Sequence, residues 1–124
     1  TLLVPVIVIR RLALHEVVST RTVLGSVAAY LQIAVAYSVL FQAVDAWSST
    51  PAFGQPEPSS AYTYVSLTTI STLGLGDIVP ATDAARLVLA SEAVVGQVFL
   101  VTVVAIVVSR FAESRRSDAK QASS

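Results

Sequence analysis

The sequence predicts an all-α membrane protein in which two transmembrane helices flank a short re-entrant helix and loop. The chain of 124 residues is 54% hydrophobic and only 13% charged, whereas soluble domains contain roughly 25% charged residues. Two long apolar stretches are each long enough to cross a bilayer. Between them, at residues 68–77, a hydroxyl-rich run leads directly into a Gly-Leu-Gly loop.

The two apolar stretches predict the membrane-spanning helices. Residues 22–44 contain no charged side chain, and residues 87–109 contain Glu92 as their one ionisable group. A helix of about 23 residues reaches roughly 35 Å, which is enough for a hydrocarbon core of about 30 Å. We therefore predict an outer helix over 22–47 and an inner helix over 86–111.

The segment between these helices has the composition of a loop followed by a short helix. Residues 48–60 contain three prolines and a glycine and predict an extracellular turret. Ser59 or Ser60 is expected to cap a pore helix over 61–71, which is too short to cross a membrane. This helix ends where the glycine-containing loop, 72–77, begins, so a re-entrant arrangement is expected.

The glycines of this loop alternate with larger residues. Gly74 and Gly76 let the backbone adopt dihedral angles that other residues avoid, so consecutive carbonyls can turn toward one axis and replace the water around a cation. Irregular backbone persists at membrane depth only where protein buries it or where it lines a water-filled path. The loop is therefore predicted to be the ion-selective part of a pore.

The distribution of charges predicts the topology. Seven of the eight Lys and Arg residues lie outside the central region, which places both termini in the cytoplasm of a multi-pass plasma membrane protein. The segment from about 45 to 86 is then extracellular, and its acids give the outer mouth a negative potential that attracts cations. Asp45 and Glu57 are expected to be solvated loop charges. The four acids are Asp45, Glu57, Asp77 and Asp83.

The terminal segments and the missing residue types restrict the possible functions. Residues 1–21 are expected to form an interfacial helix on the lipid bilayer or the end of a preceding transmembrane segment, and residues 112–124 a polar cytoplasmic tail. The chain has no cysteine and one histidine, His15, so thiolate chemistry and a histidine-based metal site are excluded. No nucleophile, base and orienting group converge as in an enzyme. The basic residues sit at membrane boundaries, so nucleic acid is not an expected partner.

Residues 64–80, Tyr-Val-Ser-Leu-Thr-Thr-Ile-Ser-Thr-Leu-Gly-Leu-Gly-Asp-Ile-Val-Pro, closely resemble the pore-loop signature of the potassium channel superfamily, Thr-Val-Gly-Tyr-Gly-Asp. Residues 24–111 are similar in element order to the bacterial two-helix channels. The resemblance implies a homotetramer with the filter on its fourfold axis, no cofactor, and K⁺ as the permeant monovalent cation. It also implies that Asp77 ends the filter at the outer mouth, and that K⁺ is bound by the carbonyls of Thr72, Leu73, Gly74 and Leu75 and by the Thr72 hydroxyl, with Gly74 and Gly76 permitting the twist.

Three positions depart from that family pattern. Leu75 replaces the usual aromatic residue of the filter, Val65 stands where many relatives have a Trp that bonds to it, and Thr68 stands where some have a Glu. An apolar contact between Leu75 and Val65 is expected to brace the loop instead. This contact lacks the direction of a hydrogen bond, and selectivity for K⁺ over Na⁺ depends in part on the stiffness of the filter. Three functions therefore stay open: a K⁺-selective channel, a weakly selective Na⁺/K⁺ channel, and a non-conducting partner subunit.

Glu92 lies about one turn inside the inner span. A charge at this depth costs several kcal/mol unless it finds partners or takes up a proton. We expect it to face the pore helix and to bond to the hydroxyls of Thr68, Thr69 or Ser71. Glu92 would then support the filter from behind.

The lower part of the inner helix contains the candidate gating residues. Gly96 matches the glycine at which inner helices of this family bend, although a small residue also permits close helix packing. Leu100, Val104 and Val108 recur every fourth residue and share one helical face. If this face lines the pore, it predicts a hydrophobic gate that closes by dewetting; alternatively, the face is apolar simply because nearly all its neighbours are.

Overall fold

Three helices and the loops between them form the chain from residue 20 to residue 122. The computed structural model describes residues 3, 6, 7 and 10 and residues 20–122. Helix α1 runs over Thr20–Trp47, α2 over Ser59–Ile70 and α3 over Asp83–Ala122. The described residues contain no β-strand, so the predicted all-α architecture is confirmed. Most of the predicted segment 1–21, including His15, lies outside the described residues.

Helices α1 and α3 are long and apolar enough to span a membrane, over Arg21–Trp47 and Asp83–Glu113. Only 33% of the most apolar part of α1 and 17% of that of α3 is buried within the chain. The core helix of a soluble protein would be mostly buried, so lipid or further protein must cover these faces. Trp47, at the end of α1, is 91% exposed, as suits an aromatic side chain at a membrane interface.

Helix α2 packs between α1 and α3 through two apolar clusters. The first cluster joins the middle of α1 to the end of α2 and to α3, and Tyr30 stacks on Phe99 at its border with ring centroids 6.0 Å apart. In the second cluster, Phe53 lies 5.5 Å from Phe41 and 5.6 Å from Tyr62. The first cluster is Ala29, Ile33, Ala34, Tyr37, Ile70 and Phe99, and the second is Phe41, Ala52, Phe53, Tyr62, Val65 and Ala85.

The turret between α1 and α2 is fastened at both ends. The Asp45 carboxylate accepts a hydrogen bond from the Ala52 amide at 2.6 Å and is also hydrogen-bonded to Tyr62. Burial and the bond to Asp45 raise the pKa of the Tyr62 hydroxyl. The Ala81 amide donates to the Ala52 carbonyl at 2.8 Å. The expectation that Asp45 is merely a solvated loop charge is therefore wrong, because this carboxylate ties the turret to the helices.

The N-terminal end of α2 differs from the sequence-based expectation. Pro58 is the N-cap of α2 and no side chain caps this end, so the predicted cap by Ser59 or Ser60 is wrong. The Ala61 amide bonds instead to the Pro58 carbonyl at 2.8 Å.

Helix α3 is longer than predicted at both ends. It begins at Asp83, where the Thr82 hydroxyl accepts a hydrogen bond from the Ala85 amide at 3.2 Å, as an N-cap does. It continues to Ala122 rather than ending at residue 111. The sequence after Gly96 contains neither Gly nor Pro, so the loss of hydropathy near residue 111 marks a membrane boundary and not a helix end.

Candidate ion-conducting site

The loop after α2 alternates between two backbone conformations. Thr72, Gly74 and Gly76 have positive φ angles of 60°, 47° and 73°, whereas Leu73 and Leu75 between them do not. Such alternation turns successive carbonyls toward the same side of the loop. The two glycines adopt these angles without strain, but a β-branched residue such as Thr72 does so at a cost of roughly 1–2 kcal/mol. Strain of this kind is typical of functional sites.

The amides of this loop bond to the end of α2. The Thr72 amide donates to the Thr69 carbonyl and the Gly74 amide donates to the Thr68 carbonyl, both at 3.0 Å. These acceptors are among the carbonyls that a helix leaves unpaired at its C-terminus. Within the described residues, the carbonyls from Thr72 to Leu75 accept no hydrogen bond, and residues 71–77 are all exposed in the single chain.

Tyr64 anchors the outer end of the loop. Its hydroxyl donates to the carboxylate of Asp77, at 3.0 Å from Oδ1 and 2.9 Å from Oδ2. The hydrogen bond to Asp77, followed by desolvation and by the charge of Asp77, raises the pKa of the Tyr64 hydroxyl. Sequence reasoning missed this residue, although Tyr64 lies beside Val65 in the quoted motif and carries the polar group that Val65 lacks.

The described residues contain no group of three or more His, Cys, Asp or Glu side chains that could hold a metal ion. The carbonyls of the loop that accept no hydrogen bond are the candidate cation ligands, because hard cations prefer oxygen. A protein-family model described as an ion channel matches residues 26–113. The chain belongs to this two-helix ion channel family. No curated protein and no solved structure matches it.

The family match confirms the resemblance to the potassium channel superfamily and identifies the protein as a membrane protein of the ion channel class. The match begins within α1 and ends within α3, so it includes α2 and the whole loop after it. The spanning helices of the channel and the loop at residues 72–77 therefore belong to one family domain.

In the channel, Glu92 is completely buried behind α2. Its Oε1 is hydrogen-bonded to the Ser66 hydroxyl, which also donates to the Ala34 carbonyl of α1 at 2.6 Å. The predicted partners of Glu92 are therefore wrong. The Thr68 hydroxyl donates to the Val65 carbonyl and the Ser71 hydroxyl to the carbonyls of α2, while Thr69, like Thr68, is not buried. Glu92 nevertheless lies behind α2, the helix that precedes the candidate loop.

Val65 is buried in the channel, whereas Leu75 is exposed in the single chain. Val65 is 3% exposed and lies in the second cluster, whereas Leu75 is 59% exposed and belongs to neither cluster. Val65 fills a space beside Phe41 and Tyr62, on the side of α2 that faces the other helices. The expected apolar contact between Val65 and Leu75 stays a prediction.

Gly96 is a site of close packing in the channel. A Cβ atom at this position would lie 2.4 Å from Cγ1 of Ile70, the last residue of α2. The Tyr30 hydroxyl of α1 donates to the Ile70 carbonyl. The end of α2, directly before the loop at residues 72–77, is thus held by both spanning helices, and the close-packing interpretation of Gly96 is supported.

The candidate gate residues of the channel lie on one face of α3, below this contact. Leu100, Val104 and Val108 are 42%, 52% and 60% exposed in the single chain. All three border an apolar groove between α1 and α3. Their side chains are thus available to contact other copies of the chain or to line a shared path.

Proposed function

We propose that the channel is a homotetramer of the plasma membrane that conducts K⁺ through the backbone carbonyls of residues 72–75. The observation that carries this proposal is the alternation of positive φ at Thr72, Gly74 and Gly76, which leaves a row of carbonyls without partners in the chain. One such row forms one wall of an ion path. Four symmetric copies are needed to surround a cation, as the family resemblance implies.

The choice of K⁺ follows from the ligands. The four carbonyls and the Thr72 hydroxyl that the family resemblance assigns to K⁺ binding are all retained in this sequence. A weakly selective Na⁺/K⁺ channel is the second candidate, because the exposed Leu75 supplies no hydrogen bond to stiffen the filter, and selectivity depends in part on stiffness. A non-conducting partner subunit is the third, and no contact in the described residues favours it.

The proposed orientation places both termini in the cytoplasm. The basic residues Arg110, Arg115 and Arg116 lie at or just beyond the end of the second span, and cytoplasmic flanks carry such an excess. The turret and the outer end of the filter then face outward. Asp77, exposed at this end, would be repeated in every subunit and raise the local cation concentration.

Reversal potentials in planar bilayers test this function. Purified protein is recorded with K⁺ on one side and Na⁺ on the other. We expect the current to reverse near the equilibrium potential of K⁺. Reversal near zero would identify the weakly selective channel, and a complete absence of current from a folded oligomer would identify the non-conducting subunit.

A matched pair of glycine variants controls this experiment. Gly74 has a φ of +47°, at which an L side chain is strained, whereas Gly25 in α1 has open space around its Cα and no positive φ. We therefore expect Gly74→Ala to lose current or selectivity and Gly25→Ala to retain both. Equal behaviour of the two variants would contradict a filter built on the alternating backbone.

A further inference from the structure

Glu92 is the point at which the three helices are joined by polar contacts. Its side chain on α3, Ser66 on α2 and Ala34 on α1 are each 0% exposed within a single chain. The Ser66 oxygen is hydrogen-bonded both to Oε1 of Glu92 and to the carbonyl oxygen of Ala34. Because this burial is complete inside one subunit, it does not depend on how many subunits assemble.

The number of available protons determines the direction of these bonds. The Ser66 hydroxyl has one proton, and a backbone carbonyl can only accept. Since the Ser66 oxygen lies 2.6 Å from the Ala34 oxygen, the serine proton is used in that bond. The bond between Ser66 and Glu92 then needs a second proton, and the carboxyl group of Glu92 is the one group in that pair able to provide it.

We propose that Glu92 is a neutral carboxylic acid that donates to Ser66, and that its deprotonation withdraws support from the filter and reduces conduction. The protonation state is inferred from the contacts alone, whereas the effect on conduction rests on the proposed channel function. The proposal goes beyond a supporting role, because it makes this support depend on a proton.

The surroundings of Glu92 favour the neutral form. Its Oε2 is buried without a hydrogen-bond partner among the described residues. A lone carbonyl oxygen tolerates this far better than an ionised carboxylate. The titratable groups that face this region from α1 are Tyr30, whose hydroxyl is near enough to feel the charge of an ionised Glu92, and Tyr37, which bonds to Ser91. Helix α2 contributes the Ser66 hydroxyl.

No ion pair neutralises Glu92 among the described residues. The ion pairs on α3 join Arg86 to Asp83 and Arg110 to Glu113, near the two ends of the spanning segment. An ionised Glu92 would therefore remain an isolated charge in the middle of the three-helix packing.

Ionisation of Glu92 would also disturb its neighbours. The Glu92 and Ala34 oxygens would then compete for the single proton of Ser66, and one of the two contacts would become a repulsion between acceptors. Ser66 precedes by two residues the Thr68 carbonyl that holds the Gly74 amide. A shift of α2 at Ser66 would thus also move the Thr68 carbonyl and the Gly74 amide that is bonded to it.

Infrared difference spectroscopy tests the protonation state directly. The wild-type spectrum is compared with that of Glu92→Gln in lipid at mildly acidic pH. We expect the carbonyl stretch of a protonated carboxylic acid in the difference, with loss of this band as the pH of the wild type is raised. The matched control is Glu113→Gln, which removes an exposed acid of the same helix. Absence of the band would overturn the proposal, whether or not the protein conducts.

Currents and thermal unfolding test the consequence. The pH is raised from mildly acidic to about 9, below the ordinary tyrosine pKa of about 10. We expect severalfold less current and a lower unfolding midpoint in the wild type and in Glu113→Gln. Glu92→Gln should be insensitive to pH, because its amide still donates to Ser66. Equal pH sensitivity in all three proteins would overturn the proposal. A pH-dependent midpoint without any current would instead overturn the proposed channel function.

Discussion

At the scale of single residues, Tyr64 supplies a restraint that the filter's departures from the family pattern had removed. Leu75 and Val65 cannot form the usual hydrogen bond between pore helix and filter. The Tyr64 hydroxyl instead reaches both carboxylate oxygens of Asp77. A hydrogen bond to a charged acceptor is stronger and more directional than an apolar contact. The Asp77 end of the loop is therefore held by Tyr64, in addition to the backbone bonds that hold Thr72 and Gly74.

We expect Tyr64→Phe to weaken the outer end of the filter. The substitution removes the hydroxyl that bonds to Asp77 but keeps the ring that packs against the second cluster. Because this hydrogen bond is exposed in the chain, the effect should be modest, about tenfold or less in K⁺ over Na⁺ permeability or in the lifetime of the open state. Single-channel recording with both ions measures it.

The pH dependence of this contact has a defined sign. The pKa of Tyr64 is raised above its ordinary value of 10.0 in the folded chain. A raised pKa means that the folded state holds the proton more tightly. The contribution of this hydrogen bond to folding stability is therefore complete below pH 10 and is lost as the pH rises through the raised pKa. Tyr64→Phe should lack this alkaline loss. An alkaline response identical to that of the wild type would assign it to another group.

The residue that pairs with Glu92 shows what the sequence could and could not predict. The position of Glu92 behind α2 followed from the cost of burying a charge in a span. Its partner did not, because several hydroxyl side chains lie close together near the end of α2, and composition alone does not show which of them faces Glu92. Helical spacing contained the answer: Tyr62, Ser66 and Ile70 recur every fourth residue and are all buried, so Ser66 lies on the face that meets the other helices.

At the scale of elements, the contact between Gly96 and Ile70 couples the inner helix to the end of α2. Ile70 is the last residue of that helix, and Thr72, where the filter begins, follows two positions later. A Cβ at position 96 would lie 2.4 Å from Cγ1 and 3.3 Å from Cδ1 of Ile70. No side chain larger than hydrogen fits unless Ile70 moves.

We expect Gly96→Ala to destabilise the channel by about 1–3 kcal/mol, the usual cost of overpacking. Ile70→Ala makes room by removing the atoms that the new methyl group meets. The double variant Gly96→Ala/Ile70→Ala should therefore be more stable than the sum of the single effects predicts, with a coupling of about 0.5–3 kcal/mol. Chemical unfolding of the four proteins in detergent measures this cycle.

This cycle separates the two interpretations of Gly96. If the glycine serves only as a hinge, Gly96→Ala changes gating and Ile70→Ala does not restore it. If it serves close packing, the second substitution restores both stability and conduction. Simple additivity of the two free energies would contradict the packing interpretation.

The face of α3 formed by Leu100, Val104 and Val108 predicts a gate that can be tested by polarity. Replacing Val108 with Ser should increase the open probability, because a polar ring is harder to dewet. Ile106→Ser is the matched control on the opposite side of the same helix. Open probability in single-channel records measures the effect. Unchanged gating in Val108→Ser, or an equal increase in both variants, would argue against this constriction.

The elements themselves were predictable to different extents. Apolar length predicted the spans that lie within α1 and α3, since a bilayer imposes a minimum length. The N-terminal ends of α2 and α3 were not predicted, because the Pro58 carbonyl and the Thr82 hydroxyl accept the bonds that begin these helices, and apolar length does not reveal such local bonds. The polar end of α3 remains helical because Glu, Arg, Ala and Lys favour helix in water as they do elsewhere.

At the scale of the whole molecule, a single chain leaves its most specialised surface uncovered. The loop at residues 72–77 is exposed, with Leu73 62% and Leu75 59% accessible, and so are Val94, Val98 and Val101 on α3. Lipid can cover the apolar side chains, but it cannot satisfy the irregular backbone of residues 72–76. Further copies of the chain and a water-filled path between them satisfy both, which is why we propose an assembly around a common axis.

Because the proposed ion sites exist only when several filters meet, ions that bind there should stabilise the assembled state. Mass action adds about 2.7 kcal/mol when the ion concentration is a hundred times the dissociation constant. We therefore expect the oligomer to melt at a higher temperature in K⁺ than in Na⁺, measured by native gel or mass spectrometry after heating. Gly76→Ala, strained at a φ of +73°, should abolish the difference, while Gly25→Ala should keep it. A midpoint independent of the ion in the wild type would contradict selective K⁺ binding at a shared filter, even if the oligomer itself were stable.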